Sequence, residues 1–149
     1  MLEKGEKAPD FETTTESGEK FKLSNHRGNK VVLYWYVKDN TKGCQAESAS
    51  FRDNYSQFQE NGIEVFGIAP GTQKTHQNFR EKNNLQFPLL MDENHEIAKK
   101  YGVWQKKKMY GREYMGIQRT TFLIDENGKI EDVFGPDGVA NVKTKEHAD

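Results

Sequence analysis

The sequence predicts an α/β fold in which helices flank a mixed central β-sheet. A continuous apolar run at Val31–Tyr36 and a mostly apolar run at Ile63–Ala69 are rich in β-branched and aromatic residues, as is typical of strands buried on both faces. Stretches with helical periodicity separate such runs along the chain. Two further strand-like segments, joined by an Asx/Gly turn at Asp125–Gly128, form a terminal hairpin. Strands that alternate with helices and then end in a hairpin indicate both parallel and antiparallel pairing.

An amphipathic helix is expected between the two apolar runs. Phe51, Tyr55 and Phe58 recur at spacings of four and three, so they share one face of a helix over Gln45–Asn61. The other elements follow from the same periodicities and from turn residues. In chain order they are an extended lead-in at Ala8–Thr15, a strand at Lys20–Leu23, a helix at Thr72–Asn84, a strand at Phe87–Met91, a helix at His95–Tyr101 and a hairpin of Thr120–Ile124 with Lys129–Phe134.

Composition bounds the class of protein. The 149 residues suit one domain, and 11% aromatic residues supply a core although 30% of the chain is charged. A net charge of −1 argues against nucleic acid or an anionic membrane as the main partner. Lys106–Lys108 is therefore interpreted as a solvated loop, and the four histidines lack metal-ligand spacing. No apolar leader or membrane-length stretch occurs in the sequence, which predicts a cytoplasmic protein.

Cys44 is the only cysteine, and its position is informative. It follows the apolar run Val31–Tyr36 and a short polar loop, and it precedes the predicted helix. Unpaired N–H groups and the positive end of the helix dipole favour a thiolate at such a junction. A single cysteine excludes an internal disulfide. The alternative interpretation is a buried cysteine that serves only as a small apolar side chain.

The chain resembles the peroxiredoxins, and within them the bacterioferritin comigratory protein (peroxiredoxin Q) subfamily. The resemblance extends over nearly the whole chain, and its strength lies in the order and spacing of several motifs. The motifs are Ala8-Pro9-Asp10-Phe11, Tyr36-Val37-Lys38-Asp39-Asn40-Thr41-Lys42-Gly43-Cys44, Glu47, Phe51-Arg52-Asp53, Gly67-Ile68, Tyr101-Gly102-Val103-Trp104 and Gly116-Ile117-Gln118-Arg119-Thr120-Thr121-Phe122-Leu123-Ile124-Asp125.

The resemblance implies a single thioredoxin-like domain of the AhpC/TSA type over residues 1–149. It implies that Cys44 attacks hydrogen peroxide or an organic hydroperoxide and becomes a sulfenic acid. Thr41 would hydrogen-bond the peroxide and the thiolate, and Arg119 would approach the sulfur. Glu47 would help to hold that arginine, and the N–H groups of Gly43 and Cys44 would bind the peroxide oxygens. No cofactor or metal is implied, because sulfur itself cleaves the oxidant.

Three residues depart from the subfamily pattern. Val37 replaces a proline that shields the sulfenic acid and fixes the loop, so slower or more easily over-oxidised chemistry is expected. Gln45 replaces the usual threonine, and Ala49 stands where many members carry a resolving cysteine. The resemblance then points to a one-cysteine mechanism, with reduction by an external thiol donor: thioredoxin, glutaredoxin or a low-molecular-weight thiol. A transient disulfide between two copies of Cys44 is the less favoured route.

Further expectations concern the C-terminus and the oligomeric state. The family's C-terminal helix is shortened around Lys143–Asp149, and a monomer is expected. Two other functions stay open at this point. A thiol–disulfide oxidoreductase would need a second cysteine where Thr41 stands. A non-catalytic or redox-sensing domain is made plausible by Val37 and Gln45.

Overall fold

The computed structural model describes residues 1–37, 39 and 42–135, and within these ranges it does not describe the side chains of residues 42–44 and 109. Strands and helices alternate through most of this part of the chain. The elements are β1 (Glu12–Thr14), β2 (Lys20–Lys22), a 3-10 helix (Leu23–His26), β3 (Lys30–Trp35), α1 (Lys42–Asp53), α2 (Tyr55–Glu60), β4 (Ile63–Ala69), α3 (Gln73–Lys82), β5 (Leu89–Met91), α4 (Glu96–Tyr101), β6 (Trp104–Met109), β7 (Arg112–Ile117), β8 (Thr120–Ile124) and β9 (Ile130–Phe134).

The central sheet has five strands in the order β5-β4-β3-β8-β9. Strands β3, β4 and β5 run parallel, whereas β8 is antiparallel to β3 and β9 is antiparallel to β8. The predicted mixed sheet is therefore confirmed. Two-stranded antiparallel pairs, β1 with β2 and β6 with β7, lie outside it.

Strand β3 separates two hydrophobic cores. Val31, Leu33 and Trp35 face one core, which includes residues of α4. Val32 and Tyr34 face the other core, which includes Phe51 of α1, Phe58 of α2 and Phe79 of α3. Successive side chains of a strand point to opposite faces, so a continuous apolar run is what a strand covered on both sides requires.

The helix predicted over Gln45–Asn61 is two helices, α1 and α2, which meet at Asn54. The Asn54 side-chain amide donates a 2.8 Å hydrogen bond to the Ser50 carbonyl oxygen. The same carbonyl oxygen also accepts the Asn54 backbone N–H over 3.3 Å, so the side-chain amide shares this acceptor with the backbone ladder. The inward face was predicted correctly nonetheless, because Phe51 and Phe58 are both buried.

Other boundaries differ by a few residues. Strand β2 ends before Leu23, where the 3-10 helix begins, and α3 starts after Thr72, whose side chain caps it. Strand β5 covers only Leu89–Met91, because Pro88 before it has no N–H to donate to the sheet. Within residues 1–37, 39 and 42–135, no helix has both the length and the apolar character needed to cross a membrane.

The solvated loop predicted at Lys106–Lys108 is a strand. Lys106–Lys108 lies in β6, which pairs in register with β7 from Trp104↔Ile117 to Met109↔Arg112. Tyr110 and Gly111 connect the two strands, and both have positive φ, 53° and 77°. Such a turn matches the twist of a hairpin but is usually marked by Asn-Gly or Asp-Gly, which is why the sequence signal was missed.

Candidate active site

Cys44 lies in the first turn of α1, which begins at Lys42. Strand β3 ends at Trp35, so the predicted order of strand and helix around Cys44 is confirmed, but α1 begins three residues before the predicted start at Gln45 and therefore includes Cys44. Gly43 belongs to the same first turn. Backbone N–H groups in the first turn lack partners within the helix and carry its positive dipole end, so they favour an anion. Thr41 and the side chain of Cys44 lie outside the described residues.

The topology brings Arg119 to the same end of the sheet. Arg119 directly precedes β8, and the first residue of that strand, Thr120, pairs with Trp35, the last residue of β3. The carboxyl end of β3 therefore meets the amino end of β8. The positive charge of Arg119 also acts on Glu47 in α1, where it lowers the pKa of the carboxyl group. These two side chains are thus close enough to interact electrostatically.

Glu47 is a buried acid, one turn after Cys44 in α1. Only 7% of Glu47 is exposed, and neither carboxyl oxygen has a hydrogen-bond partner among the described residues. Burial raises the pKa of Glu47 to about 8, since desolvation outweighs the opposing effect of Arg119. At neutral pH burial therefore favours the neutral carboxylic acid form of this side chain.

Val37 and Asp39 line a cleft beside the segment that precedes Cys44. The cleft has a volume of about 760 Å³. Val37 is half-buried and packs against both hydrophobic cores, so it joins the loop to the interior. Across the cleft, His95 stacks on Trp104 with ring centroids 3.8 Å apart. The remaining walls are formed by Pro70, Gly71, Thr72, Thr75 and Tyr114–Ile117.

Two hydrogen-bonded contacts hold the chain on either side of Cys44. On its C-terminal side, Ser48 Oγ in α1 lies 3.0 Å from the Tyr34 hydroxyl, and the Tyr34 ring stacks on Phe51. On its N-terminal side, the Tyr36 hydroxyl donates a 2.8 Å hydrogen bond to Asp39 Oδ1.

Asp39 and His76 form a buried pair that the motifs of the sequence do not reveal. Asp39 Oδ2 lies 2.7 Å from His76 Nδ1, and His76 Nε2 lies 3.1 Å from the Leu90 carbonyl oxygen. His76 is fully buried and Asp39 is 7% exposed. In the sequence these residues are 37 positions apart, and only the parallel packing of β3, β4 and β5 brings them together.

Comparisons of this chain with family models and with individual proteins agree on one family. The family model described as AhpC/TSA matches residues 4–133. The peroxiredoxin Bcp of Bacillus subtilis (strain 168) is 46% identical over 129 residues, which cover 87% of this chain and 82% of that protein. The peroxiredoxin Bcp of Escherichia coli (strain K12) is 38% identical over 148 residues, which cover 99% of this chain and 92% of that protein.

Solved structures of similar proteins share this fold. A cysteine-to-serine variant of Xylella fastidiosa PrxQ superposes with a TM-score of 0.90 at 28% identity, covering 100% of this chain and 99% of that one. The bacterioferritin comigratory protein of Xanthomonas campestris, described for its alkyl peroxide reduction activity, superposes with a TM-score of 0.84 at 29% identity. That superposition covers 93% of this chain and 92% of the other.

Proposed function

This chain belongs to the AhpC/TSA family, as a thioredoxin-fold peroxiredoxin of the Bcp (peroxiredoxin Q) type and hence a thiol-dependent peroxidase, and we propose that Cys44 is its peroxide-reducing residue. The observation that carries this proposal is the position of Cys44 in the first turn of α1, at the end of the sheet where β8 and Arg119 begin. Cys44 is also the only cysteine of the chain, so any thiol chemistry must use it.

The proposed reaction has two stages. The Cys44 thiolate attacks one peroxide oxygen, the S–O bond forms as the O–O bond breaks, and the departing hydroxide or alkoxide takes up a proton. Cys44 is then a sulfenic acid. A donor thiol forms a mixed disulfide with Cys44 and releases water, and a second donor thiol displaces the first to restore Cys44. The two electrons that reduce the peroxide come from the two donor thiols.

The other predicted site residues divide this work among them. Thr41 hydrogen-bonds the peroxide and the thiolate, and Arg119 supplies a cation that cannot deprotonate at physiological pH. The N–H groups of Gly43 and Cys44 stabilise the oxygen that carries the developing charge. Val37 covers the sulfenic acid where the subfamily has proline.

Glu47 has a supporting role that depends on its protonation state. Because its pKa is raised to about 8, it does not neutralise Arg119 at neutral pH. A cation lowers the pKa of a neighbouring thiol, and that effect is strongest when no anion competes for the cation. The neutral acid therefore leaves the positive charge of Arg119 to act on the Cys44 thiolate.

The reductant and the setting of the reaction complete the proposal. The substrate is hydrogen peroxide or an organic hydroperoxide, and the donor is thioredoxin, glutaredoxin or a low-molecular-weight thiol. Ala49 stands at the position of a resolving cysteine, which supports an external donor. The protein acts as a single thioredoxin-like domain over residues 1–149, in the cytoplasm and as a monomer.

Stopped-flow oxidation by stoichiometric hydrogen peroxide tests the role of Cys44. We expect the wild-type protein to consume peroxide far faster than a free thiol such as N-acetylcysteine, with a sulfenic acid trapped on Cys44 by dimedone and detected by mass spectrometry. Cys44→Ser should abolish both signals. Consumption at the rate of the free thiol would contradict the proposal and favour a redox-sensing domain.

A further inference from the structure

The hydrogen bonds of the Asp39–His76 pair fix how many protons it carries. The Leu90 carbonyl oxygen can only accept, so His76 Nε2 must carry a hydrogen. The 2.7 Å contact between Nδ1 and Asp39 Oδ2 also requires a proton, because two lone pairs would repel each other at that distance. With both protons in place the pair is neutral overall, whichever of the two atoms holds the shared proton. A neutral pair avoids the cost of burying a lone charge.

Close packing restricts the movement of the pair. Gly71 packs directly against it, since a Cβ at that position would lie 2.9 Å from His76 Cε1 and 3.0 Å from Asp39 Oδ2. The Tyr36 ring, whose hydroxyl donates to Asp39, stacks on Phe79 with centroids 5.4 Å apart. Asp39 is thus held at once by Tyr36, which directly follows β3, by His76 of α3 and by Gly71 in the segment after β4.

We propose that the Asp39–His76 pair is a positioning device that holds the first turn of α1, and with it Cys44, in its reactive location. The inference rests on the role proposed above for Cys44. Asp39 lies three residues before the start of α1, and three residues span at most about 11 Å. Fixing Asp39 therefore restricts where α1 can begin. Ser48, bonded to Tyr34, fixes the next turns of the same helix.

In this arrangement Asp39 contributes by fixing the position of α1 and not by its charge. Neither Asp39 nor His76 takes part in the chemistry, so each is a positioning residue. Asp39→Asn is then the discriminating change. The asparagine oxygen can accept from Tyr36, and its amide can donate to Nδ1 of a neutral His76 that still donates to Leu90. Asp39→Ala and His76→Leu remove the link altogether.

The experiment measures the second-order rate of Cys44 oxidation by hydrogen peroxide in folded proteins. We expect Asp39→Ala and His76→Leu to slow it by about ten- to a hundredfold, because a displacement of about 1 Å can cost a hundredfold in rate. Asp39→Asn should stay within about threefold of wild type. Asp92→Asn is the control, because Asp92 is an equally buried carboxylate that accepts from the N–H groups of Ile97 and Ala98. That variant should lose stability and keep its rate.

A second readout separates this inference from the proposed function. The pH dependence of Cys44 alkylation by iodoacetamide reports the thiol pKa without any peroxide, and the pKa should rise in Asp39→Ala and His76→Leu but not in Asp39→Asn. If wild-type Cys44 oxidised like a free thiol, the peroxidase role would fail while alkylation still tested the pair. Wild-type rates and alkylation profiles in Asp39→Ala and His76→Leu would overturn the inference. The inference would also be overturned if Asp39→Asn reacted as slowly as Asp39→Ala, or if Asp39→Ala and His76→Leu both failed to fold.

Discussion

Replacing Glu47 by glutamine should stabilise the protein relative to its parent, and this difference in the free energy of unfolding should grow as the pH rises. The carboxyl group of a glutamate ordinarily has a pKa of 4.5, and burial raises the pKa of Glu47 to about 8. Between these values the folded protein keeps a proton that the unfolded chain has lost, so the free energy of unfolding falls with increasing pH. The slope is about 1.4 kcal/mol per pH unit, and the whole interval amounts to about 5 kcal/mol. Glutamine keeps the shape without this titration.

The measurement is urea unfolding followed by tryptophan fluorescence, from the buried Trp35 and from Trp104, at intervals from pH 4.5 to 9. Both proteins carry Cys44→Ser, so that thiol oxidation and thiol titration do not contribute. We expect the difference in free energy of unfolding, Glu47→Gln minus its parent, to increase through the interval and to level off above about pH 8. Glu60→Gln, at an exposed position, should give a flat difference. A flat difference for Glu47→Gln as well would refute the assigned burial and its effect on the pKa.

Four further changes test the site and its support. Arg119→Met should raise the pKa of the Cys44 thiol by about one to three pH units and slow peroxide reduction about a hundredfold, as read by iodoacetamide alkylation and stopped flow. Val37→Pro should raise the peroxidase rate and lower the fraction of Cys44 oxidised to sulfinic acid, measured by mass spectrometry after repeated turnover; no change in either would sink this expectation. The wild-type rate should fall above about pH 8, where ionised Glu47 competes for Arg119, while Glu47→Gln keeps its rate. Gly67→Ala should cost about 1–3 kcal/mol in urea unfolding, because its Cβ would lie 2.7 Å from the Tyr34 ring and 2.8 Å from Leu89, whereas Gly135→Ala, whose Cβ would have no atom of the described residues within 4 Å, should cost little.

The fold could be predicted from the sequence wherever burial was complete. Val31–Tyr36 and Ile63–Ala69 are buried on both faces, so their apolar runs carried the strand signal, and Ile63–Ala69 matches β4 residue for residue. Elements that depend on local hydrogen bonds were harder to predict. The break between α1 and α2 lies at Asn54, whose side-chain amide shares a backbone acceptor, and the β6–β7 hairpin has little apolar burial to impose a period on its sequence.

The site could be predicted only in part, for a related reason. The position of Cys44 near the start of α1 followed from the apolar run before it and the helical period after it, although α1 begins at Lys42 and not at the predicted Gln45. The roles of Thr41 and Arg119 came from the resemblance and stay predictions. Asp39 and His76 have no shared signature, since a buried acid and a histidine 37 positions apart become partners only through the order of the strands. Likewise, the raised pKa of Glu47 depends on its burial, and the burial of a polar residue in an amphipathic helix cannot be predicted from the sequence.

The two buried carboxyl groups nearest to Cys44 in sequence have one property in common. Glu47 is mostly protonated at neutral pH because burial disfavours its charge, and Asp39 shares its charge with a proton held between it and His76. Neither therefore places a net negative charge beside a thiolate at Cys44. An ionised, unpaired carboxylate at either position would oppose the thiolate and compete with it for Arg119. Under the proposed chemistry, the burial of these two groups thus keeps net negative charge away from the Cys44 thiolate.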